Sequence, residues 1–138
     1  MENVFNQKIG KIGELLVEIE PYENERVEKV KARLEENLQA LSDKIDYDKN
    51  RLEQELIFYI EKLDVNEEKV RLRNHLEYFI NTMKTESAPG KKLGFIAQEI
   101  GREVNTLGSK SNHSEMQKIV VMMKDELEQI KEQVLNTL

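Results

Sequence analysis

Apolar residues recur at three- and four-residue steps along almost the whole chain, and this helical period restricts the fold more than any other feature. No convincing alternation of apolar and polar residues, which would indicate β-strands, interrupts it. The clearest breaks are Pro21 and the segment TESAPG at residues 85–90, whose composition is typical of a loop. The sequence therefore predicts an all-α fold.

We expect about six helices, arranged as long antiparallel hairpins. Pro21 should end the first helix, because the residue before a proline is pushed out of the α region. Asp64 and Asn112 are candidate N-caps, with Glu67 and Glu115 placed as the reciprocal residues of capping boxes. The expected helices cover residues 3–20, 23–43, 48–63, 64–84, 91–110 and 112 to the C-terminus.

The composition favours amphipathic helices, since 38% of the residues are apolar and 35% are charged. We therefore expect an incomplete core that oligomerisation or another domain completes. No stretch approaches the ~18 apolar residues of a membrane span, and the first residues lack a signal-peptide core, so we expect a cytoplasmic protein that does not enter a membrane. The absence of cysteine excludes disulfides, thiolate nucleophiles and cysteine-bound zinc.

The net charge of −6 argues against broad electrostatic binding of nucleic acid, but it is unevenly distributed. Residues 84–110 carry five basic and three acidic residues, which allows a local phosphate site. Within this window Gly90 precedes a helix start. Lys91, Lys92 and that helix N-terminus could jointly hold a phosphate.

A second set of polar residues follows one edge of the predicted helix 64–84, beside its apolar stripe. The spacing of three and four places Glu68, Arg71 and His75 along this edge. Histidine is a common general acid, general base and metal ligand, so His75 is a candidate for each of these roles. The alternative is structural: Glu68 and Arg71 form an i,i+3 ion pair, and His75 packs at the margin of the core.

The predicted helix 91–110 carries a polar face of unusual composition. A solvated face usually favours Lys and Glu, whereas this face carries Asn105, and Asn is a poor mid-helix residue. Such a face suits hydrogen bonding to a phosphate chain or to another subunit, and a merely solvated or subunit-buried face is the alternative. We call it the polar ridge, and it comprises Phe95, Gln98, Arg102, Asn105 and Ser109.

Acidic pairs could supply oxygen ligands to a metal ion. Glu99 and Glu103 lie one turn apart on the flank of the same helix and can share Mg²⁺ or Mn²⁺. Acids four residues apart are common on helices, so a solvated pair is the alternative. The chain has no Walker A loop, no dinucleotide fingerprint, no H-E-x-x-H motif and no EF-hand loop.

Three stretches resemble the YicC/YloC family of bacterial proteins: LDVNEEKVRLRNHLEYF (63–79), GKKLGFIAQEIGREVNTLGSKS (90–111) and VVMMKDELEQIKEQVLN (120–136). Residues 1–62 resemble the helical middle of these proteins more loosely. We therefore divide the chain into a helical stalk or hairpin region, 1–62, and a YicC-like C-terminal helical domain, 63–138. The family's N-terminal β-containing domain is missing, so the chain resembles a fragment or a truncated member.

The resemblance implies an endoribonuclease that hydrolyses RNA phosphodiester bonds with a divalent metal, Mn²⁺ or Mg²⁺, and that assembles into a homo-oligomeric ring. The roles of individual residues follow from their chemistry, with His75 as general acid or base and Phe95 as a stacking partner for a base. The expected catalytic residues are His75, Glu68, Glu99 and Glu103; the metal ligands are Glu68, Glu99 and Glu103; and the RNA- or phosphate-binding residues are Arg71, Lys91, Lys92, Phe95, Gln98, Arg102, Asn105 and Lys110.

Four positions depart from the residues usual in that family. Gly94 and His113 stand where Asp is usual, Gly101 where Asn is usual and Leu135 where Gln is usual. If the Asp at position 94 were a metal ligand, this chain would lack it. Two non-catalytic hypotheses stay open, a helical oligomerisation module and an RNA-binding module. The nuclease hypothesis further expects the polar ridge to face the edge that bears His75, so that both form one pocket.

Overall fold

Five helices make up nearly all of the computed structural model, which describes residues 2–42, 53–55, 57–58, 61, 64–111 and 113–137. None of these residues lies in a strand, so the predicted all-α class is confirmed. The sixth expected helix, 48–63, falls mostly outside the described residues, although residues 53–55 are helical. The helices are α1 (Glu2–Glu18), α2 (Glu20–Ser42), α3 (Asn66–Thr85), α4 (Gly90–Lys110) and α5 (Ser114–Thr137).

Four of the helices form an antiparallel bundle. In the order α1, α3, α4, α5 each helix contacts the next, and α5 closes back on α1. The short connections 86–89 and 111–113 make α3, α4 and α5 consecutive antiparallel neighbours. α1 docks against both ends of this series. Its Phe5 ring meets Phe79 of α3 edge-on at 5.3 Å between centroids, and Lys8 lies 3.3 Å from Glu126 of α5.

The core consists of the apolar stripes that the sequence predicts. On α1, Ile9, Ile12, Leu15 and Leu16 are all buried. Burying such a side chain fully contributes roughly 1.5–3 kcal/mol, so these stripes are the main source of stability. The stripe of α4 is buried throughout and comprises Leu93, Ile96, Ala97, Ile100, Val104 and Leu107.

The described helices bury one core within a single chain. Residues of α1 belong to the same buried cluster as those of α3, α4 and α5. The boundary between the 1–62 and 63–138 regions stays a prediction, as does completion of the core by further copies. Within the part of the chain that the structure describes, no helix combines the length and apolar character needed to cross a membrane.

The break between α1 and α2 falls at Ile19, two residues before Pro21. Ile19 is fully buried, and its carbonyl accepts the N–H groups of Tyr22 and Glu23 at 3.1 and 3.0 Å. Pro21 thus lies in the first turn of α2, where a helix does not use the N–H that proline lacks. The expected end of the first helix at residue 20 and start of the second at residue 23 are corrected accordingly.

The predicted capping box at the start of α3 does not form. Asp64 does satisfy a backbone donor, since its Oδ1 accepts the N–H of Asn66 at 2.9 Å. The N-cap position, however, is Val65, which has no side-chain capping bond. The carboxylate of Glu67 lies 3.7 Å from the guanidinium of Arg71, on the outer surface of the same helix.

The start of α5 is capped by a histidine. Nδ1 of His113 accepts the backbone N–H of Glu115 at 3.1 Å, and the His113 carbonyl accepts that of Gln117 at 3.0 Å. The cap predicted at Asn112 lies outside the described residues. The imidazole therefore has a local structural role at this helix end.

Glycines at seven-residue spacing allow α4 and α5 to approach closely. Gly94, Gly101 and Gly108 all face α5. A Cβ atom at Gly101 would lie 3.2 Å from Leu127, and one at Gly108 would lie 3.1 Å from Val120. Both distances are shorter than ordinary van der Waals contact, so the absence of side chains at these positions determines the spacing of the two helices.

We expect Gly10→Ala and Gly108→Ala to differ in their effect on stability. Gly10 lies in α1, where an added Cβ meets no atom within 4 Å, so the better helix propensity of alanine should raise the free energy of unfolding by about 1 kcal/mol. Gly108→Ala brings the same improvement in helix propensity, but its new Cβ atom would crowd Val120. The gain in the free energy of unfolding should therefore vanish or reverse. Urea denaturation of the two variants measures the difference, and equal gains would contradict the close packing of α4 on α5.

Candidate functional site

Charged side chains of α3 and α4 meet along one line, which we call the α3–α4 seam (Glu68, Arg71, Glu103 and Lys110). Nζ of Lys110 donates a hydrogen bond to Oε1 of Glu68 at 2.8 Å. Nε of Arg71 lies 3.3 Å from Oε1 of Glu103, and its Nη2 lies 3.8 Å from Oε1 of Glu68. The guanidinium thus lies between two carboxylates, one from each helix.

The two carboxylates of the seam are buried, whereas their cationic partners reach solvent. The side chains of Glu68 and Glu103 are 3% and 8% exposed, against 33% for Lys110 and 48% for Arg71. Burying a carboxylate is unfavourable unless a cation or hydrogen-bond donors compensate it. Oε2 of Glu68 is buried and has no hydrogen-bond partner, so Lys110 and Arg71 compensate this carboxylate through Oε1 alone.

The antiparallel register extends the seam towards His75. Arg71 of α3 faces Glu103 of α4. His75 lies one turn after Arg71 on α3, and Glu99 lies one turn before Glu103 on α4, so the antiparallel arrangement continues the line in their direction. His75 is half-buried, whereas the Glu99 side chain is 49% exposed and lies 3.8 Å from Arg102. The seam therefore passes from buried ion pairs at one end to a more open region that contains the imidazole.

The three glutamates expected to bind a metal do not form a ligand cluster. Across the described ranges, no group of three or more His, Cys, Asp or Glu side chains could hold a metal ion. Arg71 contacts both Glu68 and Glu103, and Glu99 contacts Arg102. The metal requirement, and the assignment of these glutamates as ligands, therefore stay predictions.

The polar ridge does not face the His75 edge, contrary to expectation. Gln98, Arg102, Asn105 and Ser109 are exposed on the outside of α4, and the Arg102 side chain is 74% accessible. Because the apolar arc of α4 points into the core, the ridge on the opposite side must point to solvent. The residues that meet α3 come from the intervening flank, which carries Glu103 and Lys110.

A cleft of about 510 Å³ lies beside the ridge, between the first turns of α4 and the last turns of α5. It brings together three residues expected to bind RNA, Lys91, Phe95 and Gln98, and adds Lys131 and Leu135 from α5. Phe95 and Leu135 are each 68% exposed. An exposed aromatic ring in a cleft that two lysines also line can stack a base while the lysines contact phosphates. We call this the α4–α5 cleft.

Sequence reasoning did not indicate that Lys131 and Leu135 of α5 would line this cleft. The signal was present in the glycines of α4, whose seven-residue spacing indicates that another helix packs closely against that flank. Gly94 lines the cleft itself, and a Cβ at Gly101 would lie 3.8 Å from Nζ of Lys131.

Lys92 lies apart from the cleft, at the α3 side of α4. Its Nζ is 2.6 Å from Oε1 of Glu86 and 5.3 Å from the centre of the Tyr78 ring. The hydrogen bond to Glu86, and then the one to Tyr78, raise the pKa of Lys92. Charged Lys92 therefore stabilises the folded state fully below the ordinary lysine pKa of about 10.4. This stabilisation is lost only as the pH rises through the raised pKa of Lys92 in the folded protein.

Fold and surface together define a helical-bundle protein with an ion-paired seam and a cleft lined by cations and an aromatic ring. The chain matches the family model described as "Endoribonuclease YicC-like, C-terminal" over residues 19–137. It belongs to this family, as the resemblance implied, and the match includes α2 as well as the region from 63 onwards.

Two curated relatives support the same relationship. Proteins named "Probable endoribonuclease YicC" from Clostridioides difficile and Haemophilus influenzae are each 42% identical to this chain over 72 residues. The matched stretch makes up 52% of this chain and 25% of each relative. The similarity thus spans about a quarter of the length of these relatives.

We expect Lys110→Met to destabilise the bundle by about 3 kcal/mol, because it leaves the buried Glu68 carboxylate without its closest cation. As a control, Lys118→Met removes an exposed lysine 3.1 Å from Glu115, and it should cost less than about 1 kcal/mol. Adding Glu68→Leu to Lys110→Met should restore much of the lost stability. Thermal or urea unfolding measures all three, and equal losses for Lys110→Met and Lys118→Met would contradict the buried pairing.

Proposed function

We propose that this chain is the helical part of an endoribonuclease and that RNA phosphodiester bonds are hydrolysed at the open end of the α3–α4 seam, beside His75. The observation that carries this proposal is membership of the YicC-like endoribonuclease family. Hydrolysis needs a base to accept a proton from the attacking oxygen and an acid to protonate the leaving oxygen. An imidazole can do either near neutral pH.

Arg71 is placed to assist such a reaction. Its guanidinium is 48% exposed and lies one turn from His75 along the same edge of α3. Negative charge on the phosphoryl oxygens increases as the phosphodiester is attacked, and a cation fixed nearby stabilises it. Glu103 and Glu68 hold this guanidinium in position, so we propose a positioning role for these two carboxylates.

RNA would reach this point along the outside of α4. The α4–α5 cleft offers Phe95 for base stacking, with Lys91 and Lys131 for phosphates. Arg102 of the ridge contacts the flank that leads to the seam, since it lies 3.8 Å from Glu99. A phosphate could replace Glu99 as the partner of Arg102, which would place the strand next to the seam.

Divalent metal, Mn²⁺ or Mg²⁺, remains an expectation from the family resemblance. Since the described side chains include no set of three ligands, we derive no step through the ion. Cleavage in the presence of EDTA compared with added Mn²⁺ or Mg²⁺ tests the requirement.

A second candidate function is a non-catalytic module that binds RNA or further copies of the chain. Two observations favour it: the carboxylates of Glu68 and Glu103 are already bound by cations, and the match covers only a quarter of the named relatives. In that case Phe95→Ala and Arg102→Ala should change RNA affinity, or the oligomer mass in sedimentation, without any RNA turnover.

We expect His75→Ala to reduce cleavage of a labelled RNA by about 100-fold, the typical contribution of a positioned general acid or base. Asn74→Ala is the matched control, because Asn74 is exposed on the neighbouring position of the same helix. Circular dichroism should show that both variants remain folded. Equal cleavage by the wild type and both variants would exclude His75 from the reaction, and no cleavage by any of them under any metal would favour the second candidate.

A further inference from the structure

A second cation-lined cavity, of about 470 Å³, lies between α2 and the first turn of α5. Three of its lining residues are basic and recur on one face of α2 at steps of three and four: Arg26, Lys29 and Arg33. His113 and Ser114 line the opposite wall. We call it the α2–α5 cavity, and it is separate from both the seam and the α4–α5 cleft.

The wall formed by α5 also favours an anion. Ser114 is the first residue of a 24-residue helix, and the N-terminus of a helix carries a partial positive charge and backbone donors. His113 is fixed beside it, since Nδ1 accepts the N–H of Glu115 and the ring packs on Tyr22 at 5.3 Å between centroids. The Ser114 hydroxyl adds a neutral donor of the kind that contacts phosphate oxygens.

The described residues that line the cavity include no carboxylate. Glu25 lies nearby but contacts the basic residues, at 3.1 Å from Lys29 and 3.6 Å from His113. The hydrogen bond from Lys29 lowers the pKa of Glu25, and the contact with His113 acts in the same direction. Glu25 thus holds these two residues beside the cavity.

Arg26 has a structural role, but this role does not explain why Lys29 and Arg33 line the same cavity. Its Nη1 donates to the carbonyl of Lys110 at 2.6 Å, which caps the C-terminal end of α4. Burial lowers the pKa of Arg26, and the nearby carboxylates of Glu23 and Asp64 oppose this shift, so the chain itself compensates this cation. Lys29 and Arg33 are exposed and make no comparable contact with the end of α4 in the described structure. A chain of net charge −6 nevertheless places them at one cavity.

We propose that the α2–α5 cavity binds a phosphate group of an RNA strand, with Lys29 and Arg33 as cationic ligands and the start of α5 supplying neutral donors. This inference rests on the proposed function, because the strand would be the one cleaved at the seam. Lys110 connects the two places: its carbonyl binds Arg26 at the cavity, and its Nζ binds Glu68 in the seam.

The distance between the sites suits a single strand. Glu99, at the open end of the seam, lies eleven residues before Lys110 on α4, which corresponds to about 16 Å along the helix. A few nucleotides of single-stranded RNA cover that length. The cavity would therefore hold a phosphate some nucleotides away from the cleaved bond and fix the register of the strand.

Arg33→Gln tests the site, with Lys31→Gln as a control that removes the same charge from an exposed position outside the cavity lining. Binding is measured by fluorescence anisotropy with a non-cleavable 2′-O-methyl RNA at several salt concentrations. Arg33→Gln should weaken binding about 10-fold and reduce the slope of log affinity against log salt by about 0.7, the loss of one phosphate contact on a single strand. Equal effects of the two variants would overturn the proposal.

The imidazole signals in NMR provide a readout that does not depend on catalysis, since the chain has only two histidines, His75 and His113. Adding the RNA should shift the His113 signal in the wild type and much less in Arg33→Gln. Inorganic phosphate is a separate arm: a saturable His113 shift with phosphate but none with RNA would overturn the RNA assignment and point to a free or terminal phosphate. No His113 shift with either ligand would overturn the site altogether.

These results separate this inference from the proposed function. If His75→Ala loses cleavage but the His113 signal does not shift with RNA, the phosphate site in the α2–α5 cavity is rejected and the nuclease proposal stands. Specific loss of RNA binding in Arg33→Gln, in a chain that shows no cleavage, would keep the cavity and remove the nuclease assignment.

Discussion

The pairing of Lys110 with Glu68 is the interaction on which the arrangement of α3 and α4 depends. Glu68 has almost no contact with solvent, and one of its oxygens is buried without a hydrogen-bond partner. Its carboxylate is tolerable only while a cation from α4 stays beside it. The ion pairs add to the apolar packing in fixing the register of α3 against α4. The register that they fix places His75 and Glu99 along the same line.

Lys110 also connects this seam to α2. Its backbone carbonyl, left without an intrahelical partner at the end of α4, accepts the hydrogen bond from Arg26. One residue thus joins three helices, through its side chain on one side and its main chain on the other. This explains how α2, which contributes few buried apolar side chains, is held against the bundle. Lys69 adds a second connection through its 2.8 Å hydrogen bond to Glu23.

The helical period predicted the core well because the position of a residue around a helix follows directly from its number. All six apolar residues expected to face the core from α4 are buried. The same rule could not tell which neighbour each polar flank would meet. Arg102 and Glu103 are adjacent in sequence, yet the Arg102 side chain is 74% exposed and that of Glu103 only 8%. That difference arises because α3 packs on the side of α4 that carries Glu103. The spacing of residues within α4 cannot show where α3 lies.

The cation cluster of α2 was missed for a similar reason. Arg26, Lys29 and Arg33 on a charged helix are typical of a solvated face, and only the position of α5 turns that face into the wall of a cavity. The histidine opposite precedes α5 and the serine begins it, and both are at least 80 residues away in sequence. Side-chain periodicity describes one helix at a time, so a site made by two helices appears only when both are placed.

The glycine departures from the family pattern change the charge of the α4–α5 cleft as well as its packing. Gly94 lines this cleft together with Lys91 and Lys131, at a position where the resemblance leads us to expect Asp. A carboxylate there would neutralise one of these lysines. With glycine in its place, no carboxylate at position 94 competes for these lysines. If the Asp usual at this position is a metal ligand in the family, this chain lacks that ligand. The described lining of the cleft therefore presents two lysines and no carboxylate.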